Sequence, residues 1–345
     1  MLESHMTPRI GFAGKWLNSS SESKDKKIHA EERELNTGGT TVAWLNRQTR
    51  TVAEDKLWGV ISHNLKSIKN VLNRVKDLDP RMHMMRIGSD ILPMYTEATW
   101  RYFTQQPDVK RYCETEFAAI GDFARKHNIR LSFHPGQFCV LASNSPDIVT
   151  RSIEEFEYHA DMARMMGYGA SWHDHGFKIN VHISGRQGPE GIRKAYQRLS
   201  PEARNTITIE NEEMSHGLLD CLSISDLVPI VLDIHHHWVR EGEYLDANDD
   251  RVKRVMDSWR GVRPTLHYSI SREDVLDSTN TLVKPEHSIL LESGHKRAKL
   301  RAHSDFYWND AVNEWALSYW PNFDIQCESK AKNLASFRLF EQAIK

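Results

Sequence analysis

Apolar residues recur along the chain with two alternating periods. Between residues 52 and 75 they fall at helical spacing, which predicts an amphipathic helix. The same reasoning predicts helices at residues 109–127, 147–166, 191–199, 248–259 and 331–344. Short β-like runs between them predict strands at residues 9–13, 84–88, 129–133, 178–182, 206–210, 230–233, 265–268 and 324–327. The chain is therefore predicted to alternate strands with helices.

Eight strands that alternate with helices indicate a parallel sheet closed into a (β/α)8 barrel, the TIM barrel, in a single α/β domain. Closure depends on the first and last predicted strands, at residues 9–13 and 324–327. An open doubly wound sheet is the alternative fold, but it normally carries a glycine-rich phosphate turn after its first strand. Here that turn reads Phe-Ala-Gly-Lys, so the closed barrel is preferred.

The predicted connection between the last two strands is long and basic. It spans residues 270–322 and contains a basic run at residues 295–301. Long loops at the catalytic face of a barrel usually carry function. We expect residues 7–345 to form one barrel domain with this insertion, and residues 1–6, MLESHM, to be a cloning remnant.

The composition argues against a membrane protein and against a disulfide-rich secreted protein. Hydrophobic residues make up 39% of the chain, yet no apolar run approaches the roughly 20 residues that cross a bilayer. The N-terminal residues lack an apolar signal segment, so a cytoplasmic protein without a membrane partner is expected. The four cysteines, which show no C-x-x-C spacing, are interpreted as buried thiols: Cys113, Cys139, Cys221 and Cys327.

The charge balance does not by itself suggest a nucleic-acid partner. The formal net charge is −2, which excludes a broadly basic protein. Any DNA must therefore be held by local basic patches or by bound metal ions rather than by the overall field.

Histidines and carboxylates close one predicted strand after another. The set consists of His134, His182, Glu210, Asp233, His236, His267 and Glu328. Because the strand ends of a barrel meet at one face, these side chains are expected to converge there. Histidine and carboxylate ligands without cysteine suit Zn²⁺ or Mn²⁺, and more than four such groups indicate two or three ions.

Each of these residues also has an ordinary explanation. His134, before Pro135 and Gly136, fits a turn histidine, and His267 fits a hydrogen-bonded core histidine. A buried Glu210 would be costly unless it were paired or bound to metal, and the same argument holds for Glu328.

The three consecutive histidines after Asp233 leave two geometries open. Neighbouring strand residues face opposite sides, so a continuing strand would put Asp233, His235 and His237 on one face. A turn after Ile234 would instead bring Asp233 and His236 together. Periodicity does not choose between them.

Six segments together resemble the UV damage endonuclease family, whose members are metal-dependent TIM-barrel DNA repair enzymes related in fold to endonuclease IV. The segments are RIGSDILP, HPGQF, IENEE, LDIHHHW, PTLHYS and RAHSDF. The resemblance implies an endonuclease that nicks the phosphodiester immediately 5′ of cyclobutane dimers, 6-4 photoproducts and other distorting lesions, leaving a 3′-hydroxyl and a 5′-phosphate. Its partner would be UV-damaged double-stranded DNA, with no obligate protein partner. Its cofactors would be two or three divalent ions, Mn²⁺ in the first place and Zn²⁺ or Mg²⁺ as alternatives.

The resemblance also assigns roles to residues. The metal positions fall on His134, His182, Glu210, Asp233, His236, His267, His303 and Glu328, with Asp90 as a further ligand. It thus selects His236 from the triple histidine. The catalytic set is Glu210, His236, His267 and Glu328. Gln137 and Phe138 match a pair that pushes between bases, and Phe12 matches an aromatic residue beside the damaged nucleotides. Lys296 and Arg297, in the basic run, are expected to contact DNA.

Several positions depart from the family pattern. Tyrosine often stands where this chain has Phe12 and Phe138, histidine stands in some members at Asp90, and lysine in some at Thr265. His303 is explained equally well as a polar loop residue. Two other functions remain open: a metal-dependent TIM-barrel sugar isomerase, which would use the same ligands, and a non-cleaving protein that binds damaged DNA through a weakened cluster.

Overall fold

The fold is a closed parallel barrel. The computed structural model describes residues 7–18, 26–276 and 280–345, so the predicted cloning remnant at residues 1–6 lies outside the described residues. The strands are β1 Ile10–Ala13, β2 Met84–Arg86, β3 Arg130–Phe133, β4 Lys178–His182, β5 Ile207–Glu210, β6 Ile230–Asp233, β7 Thr265–Tyr268 and β8 Asp324–Cys327. They pair in parallel in chain order, and β1 also pairs with β8. The TIM-barrel prediction is confirmed, and the open doubly wound sheet is wrong.

Helices connect the strands. They are α1 Lys26–Arg33, α2 Val42–Leu45, α3 Arg50–Lys76, α4 Tyr102–Gln105, α5 Pro107–Lys126, α6 Pro146–Met165, α7 Gly188–Tyr196, α8 Pro201–Thr206, α9 Leu218–Leu222, α10 Ile234–Glu241, α11 Asp250–Ser258, α12 Glu273–Leu276, α13 His287–Glu292, α14 Arg297–Leu300, α15 Asp310–Leu317 and α16 Lys332–Ala343. Short 3₁₀ turns lie at Pro80–Met82 and Asp174–Gly176. None of the described helices combines the length and apolar character that a membrane span requires.

The helix α3 shows how the sequence builds the outer layer. The Thr49 hydroxyl accepts a hydrogen bond from the Val52 amide and caps the N-terminus of the helix. The apolar stripe predicted within residues 52–75, including Leu57, Ile61 and Leu65, is fully buried. Burying this stripe between the helix and the sheet supplies most of the free energy that holds the helix in place.

The interior of the barrel is unusually polar. TIM-barrel interiors are dominated by branched apolar residues, whereas here Lys178, Asn180, Thr208 and Gln326 are fully buried on the strands. At the N-terminal end of the strands, the buried carboxylate of Asp324 forms ion pairs with three arginines, Arg9, Arg130 and Arg263. These contacts satisfy a charge that would otherwise be costly to bury.

The described residues of the long connection between β7 and β8 form four short helices, α12 to α15. The basic run forms α14 and its flanks, and an isolated antiparallel bridge between Ser271 and His303 ties this segment to the barrel mouth. The four cysteines are free and buried, as predicted.

Candidate metal centre

The strand-end histidines and carboxylates converge at the C-terminal mouth of the barrel, around Glu210. Its Oε2 atom lies 3.4 Å from His134 Nε2, 3.5 Å from His182 Nε2 and 3.0 Å from His267 Nδ1. Its Oε1 atom lies 3.5 Å from His236 Nδ1. The Glu210 carboxylate therefore faces four histidines, and its two oxygens face different members of the set.

Glu328 and Asp233 complete the cluster. Glu328 Oε1 lies 3.2 Å from His267 Nδ1, and the same carboxylate forms an ion pair with Arg86. Glu210, Asp233, His267 and Glu328 offer ligand atoms that all lie within 4.8 Å of one another. Ligand atoms about 2.0–2.3 Å from one ion lie at most about 4–5 Å apart. The spacing therefore suits divalent ions.

Unpaired buried atoms give a second test of the fit to metal. Glu210 Oε1, Asp233 Oδ2 and His267 Nδ1 are buried, and none makes a well-aligned hydrogen bond to the described residues, although His267 Nδ1 lies close to oxygens of Glu210 and Glu328. A buried polar atom without a partner costs about 1–3 kcal/mol, and more if it is charged. Three such atoms within one cluster of nitrogen and oxygen donors are well explained by divalent ions such as Zn²⁺ or Mn²⁺.

The turn after β6 determines which of the three consecutive histidines lies beside Asp233. Asp233 ends the strand and caps α10, because its Oδ1 atom accepts a 2.7 Å hydrogen bond from the His236 amide. Asp233 and His236 are thereby brought together at the mouth. His235 instead stacks against Trp238, with ring centroids 5.9 Å apart, and His237 Nε2 lies 3.1 Å from Glu243 Oε2.

Outer partners orient three of the histidines. The Nδ1 atom of His134 lies 2.8 Å from the Pro135 carbonyl oxygen, and that of His236 lies 2.9 Å from the Asn211 carbonyl oxygen. His182 Nδ1 lies 3.6 Å from a carboxylate oxygen of Glu212. Such partners fix the tautomer and the ring orientation of metal-binding histidines. In His134 and His182 they leave Nε2 facing Glu210, whereas His236 turns Nδ1 to Glu210 and Nε2 to Glu213.

The ionisable groups of the cluster shift one another's pKa values. Burial alone would raise the pKa of Glu210, but the histidines around it, His267 first, hold this pKa well below its usual value. Arg86 does the same for the pKa of Glu328. Burial lowers the pKa of His134 to about 4, whereas Asp233 and Glu210 outweigh burial and raise the pKa of His236 to about 10. The site thus keeps Glu210 and Glu328 ionised, as ligands must be, whereas burial raises the pKa of Asp233 well above its usual value.

Comparison with known proteins identifies the family. The model of the family described as UV-endonuclease UvdE matches residues 27–345. The chain belongs to the UvdE family. This membership makes it an endonuclease of UV-damage repair, and the resemblance stated from the sequence is confirmed. The sugar-isomerase alternative is set aside.

Two UvdE relatives illustrate the similarity. The UV DNA damage endonuclease of Bacillus cereus (strain B4264) is 25% identical over 315 residues, covering 88% of this chain and 87% of the relative. The UV-damage endonuclease of Schizosaccharomyces pombe is 27% identical over 287 residues, covering 79% of this chain and 43% of the relative.

Solved structures agree on the fold. The crystal structure of SacUVDE matches with a TM-score of 0.71 and 22% identity, over 97% of both chains. Endonuclease IV from Thermus thermophilus matches with a TM-score of 0.52 and 13% identity, over 80% of this chain and 94% of that one. Both matches place this UvdE chain among TIM-barrel proteins.

Two predicted metal ligands, His303 and Asp90, are not among the residues described above around Glu210, Asp233 and Glu328. The His303 ring is 6.0 Å from the His235 ring, and burial lowers the pKa of His303 although Glu328 opposes the shift. Asp90 is exposed and lines a cavity of about 430 Å³ together with Lys15 and Lys332. The roles of His303 and Asp90 as ligands stay predictions.

The predicted DNA-contacting residues occupy different environments. Gln137 and Phe138 lie on the loop after β3, and the Phe138 side chain is 86% exposed. Lys296 and Arg297 are exposed at the start of α14. Phe12, in contrast, is 1% exposed and packs edge-on against Trp16 with ring centroids 5.7 Å apart. A lesion contact by Phe12 therefore rests on the family resemblance alone.

Sequence reasoning missed several residues of the site. Arg86 ends β2, so the rule that found the other strand-end residues would have found it if arginine had been included. Glu212 and Glu213 belong to the IENEE segment, and Glu213 Oε2 lies 3.7 Å from His236 Nε2. Asn180 donates a hydrogen bond to Glu210 from within β4. Lys178 begins β4, and no sequence signal marks it as a neighbour of the site.

Proposed function

We propose that this UvdE-family endonuclease nicks double-stranded DNA immediately 5′ of UV photoproducts, at a centre of divalent ions, and leaves a 3′-hydroxyl and a 5′-phosphate. Cyclobutane dimers, 6-4 photoproducts and other distorting lesions are its substrates. The observation that carries the proposal is the convergence of buried ligand atoms of Glu210, Asp233, His267 and Glu328 at the barrel mouth.

The residues present would hold two or three ions, with Mn²⁺ as the first candidate. The ligands would be His134, His182, Glu210, Asp233, His236, His267 and Glu328. When bound, such ions would lower the pKa of a coordinated water towards neutrality and stabilise charge on the leaving oxygen. Glu210 is suited to bridging, because its two oxygens face different histidines. Arg86 holds Glu328 in place through their ion pair.

The loop after β3 would recognise the lesion. Gln137 and Phe138 follow the candidate ligand His134 by three and four residues, so one loop joins the metal centre to the probe of the bases. The exposed ring of Phe138 is free to stack on a base. Selectivity would come from the unstacking cost, which is lower for a distorted dinucleotide than for paired, stacked bases.

The basic segment α14 would hold the DNA backbone. Lys296 and Arg297 are exposed there, and Arg301 Nη1 lies 3.2 Å from Glu213 Oε1, which links this segment to the metal centre. Lysine and arginine contacts to phosphates supply sequence-independent affinity. A monosaccharide substrate would need neither this segment nor the exposed Phe138 ring.

A single-lesion substrate tests the proposal. A 5′-labelled duplex with one cyclobutane dimer is incubated with the protein and Mn²⁺, with the protein and EDTA, and beside an undamaged duplex. We expect one cut, 5′ of the dimer, with Mn²⁺ only, and a product that a DNA polymerase extends. Glu34→Gln, at an exposed surface position, serves as a control for Glu210→Gln. Equal nicking of both duplexes, or nicking unaffected by EDTA, contradicts the proposal, and tight binding without nicking favours the non-cleaving alternative.

A further inference from the structure

A cavity lies at the barrel mouth beside the candidate metal centre. It has a volume of about 430 Å³ and lies where the loops after β1, β2 and β8 meet, so that Lys15, Asp90 and Lys332 line it. Buried apolar side chains, among them Ile68 and Met85, also line it. The volume falls within the range of about 300–1,000 Å³ that is typical of ligand pockets.

The two lysines of this cavity lack an acidic partner at contact distance. Neither ammonium group forms a hydrogen bond or an ion pair with a residue that the structure describes. Burial, Arg86 and Lys15 lower the pKa of Lys332. Glu328 opposes this shift only in part, and its carboxylate is already paired with Arg86. Cations crowded together in this way attract an anion.

The backbone of the β8 loop holds Lys332 in an unfavourable conformation. Its φ angle is 51°, in the left-handed region that residues other than glycine rarely adopt. Residues in such conformations cluster at ligand-binding sites. Lys332 is also the first residue of α16, whose N-terminus has no side-chain cap and so adds partial positive charge. Both features fit an anionic ligand at Lys332.

The position of the cavity on the barrel indicates which anion it takes. The loops after β7, β8, β1, β2 and β3 follow one another around the mouth. The exposed Lys296 and Arg297 belong to the β7 loop. Lys332 and Lys15 belong to the next two loops, and the exposed ring of Phe138 belongs to the last. A DNA strand whose bases Phe138 probes would therefore pass its phosphates along this row of cations.

We infer that Lys15 and Lys332 form a binding site for one backbone phosphate of the damaged DNA strand, between the basic segment α14 and the loop after β3. This inference rests on the proposed function and deepens it, because it assigns a substrate contact outside the metal centre. Lysine offers phosphate a compact charge and charge-assisted hydrogen bonds. The apolar residues of the cavity lower the local dielectric constant, which strengthens the attraction.

The test measures single-turnover nicking of a dimer-containing duplex with Mn²⁺. Lys332→Gln and Lys15→Gln should each raise the protein concentration that gives half the maximal rate by about 10- to 100-fold, because each removes a charge-assisted contact. The log–log dependence of this concentration on salt should become less steep by about 1. Lys332→Arg keeps the charge and should keep the wild-type salt dependence. Lys126→Gln is the control, because Lys126 is exposed at the end of α5, on the opposite face of the barrel.

Methylphosphonate substitutions locate the phosphate, because each replaces one charged phosphate of the damaged strand by an uncharged group. Substitution at the bound phosphate should weaken nicking by the wild type and have no further effect on Lys332→Gln, while substitutions elsewhere keep their effects. Mn²⁺ content and melting temperature should not change, as they would if Lys332 only balanced the charge of Glu328. Loss of Mn²⁺ from Lys332→Gln, the same methylphosphonate profile in both proteins, or a variant that behaves like Lys126→Gln overturns the inference.

The inference and the proposed function fail in different ways. If the wild type does not nick the dimer-containing duplex, its binding to the same set of duplexes is measured by fluorescence anisotropy. A loss of binding specific to these lysines and to one phosphate then refutes the function and leaves the phosphate site standing. Dimer-specific nicking that is unchanged in Lys332→Gln and Lys15→Gln does the reverse. A wild-type protein that binds no DNA refutes both.

Discussion

Removing the exposed ring of Phe138 tests whether the loop after β3 reads DNA damage. The side chain is 86% exposed, so Phe138→Ala should change the free energy of unfolding by less than about 0.5 kcal/mol. If the ring stacks on a base, its loss should cost about 1–3 kcal/mol of substrate interaction. At about 1.4 kcal/mol for each factor of ten, this corresponds to roughly a 5- to 150-fold loss of lesion-dependent nicking.

The assay is single-turnover cleavage of a dimer-containing duplex, with the metal content and the melting temperature of each variant measured in parallel. Gln137→Ala should behave in the same way, with reduced incision and intact metal content. Phe12→Ala provides the contrast: its ring is 1% exposed, so its loss should destabilise the protein by about 3–5 kcal/mol. Metal loss in Gln137→Ala, or full lesion-dependent activity in Phe138→Ala, would refute the recognition role of this loop.

Three further predictions follow from the charges of the structure. Glu210→Gln should abolish Mn²⁺-dependent nicking. Because the substitution breaks a buried ion pair, it should also lower the free energy of unfolding in EDTA by about 3–5 kcal/mol. Retained Mn²⁺ binding in calorimetry would contradict the role of Glu210 as a ligand. Replacing Lys296 and Arg297 together by alanine should weaken binding to damaged and undamaged DNA alike and reduce the salt dependence of affinity, with melting temperature unchanged. Lastly, burial lowers the pKa of His159 to about 4 and that of His173 to about 3. The unfolded chain protonates these rings below pH about 6.5 while the folded protein keeps them neutral, so stability in EDTA should fall as the pH decreases from 6.5 towards 4; urea titrations that give a flat profile over this range would be inconsistent with it.

The histidines and carboxylates at the ends of predicted strands identified most of the site, because the C-terminal ends of the strands of a closed barrel meet at one face. His182 ends β4 and Glu210 ends β5, so neighbouring parallel strands are expected to bring the two residues side by side. The structure pairs them in register. The choice among the three histidines after Asp233 depended on a local turn instead. That turn is fixed by the hydrogen bond from the His236 amide to the Asp233 carboxylate, which periodicity does not register.

Residues that act across the barrel escaped prediction for a different reason. Lys178 begins its strand and reaches His267 only because β4 and β7 face each other across a closed sheet. Phe12 has the aromatic character of a base-stacking residue, but its position on β1 turns the ring into the core against Trp16. The short helices of the long β7–β8 connection are likewise held by tertiary contacts rather than by their own periodicity.

Metal occupancy at the barrel mouth tests the central claim most directly. Crystals grown with Mn²⁺ should show anomalous scattering from two or three ions, at about 2.0–2.3 Å from oxygens of Glu210 and Glu328 and from ring nitrogens of the surrounding histidines. The account predicts that His267 coordinates through Nδ1. Crystals of protein that nicks dimer-containing DNA, yet in which no ion lies within reach of Glu210, would contradict it.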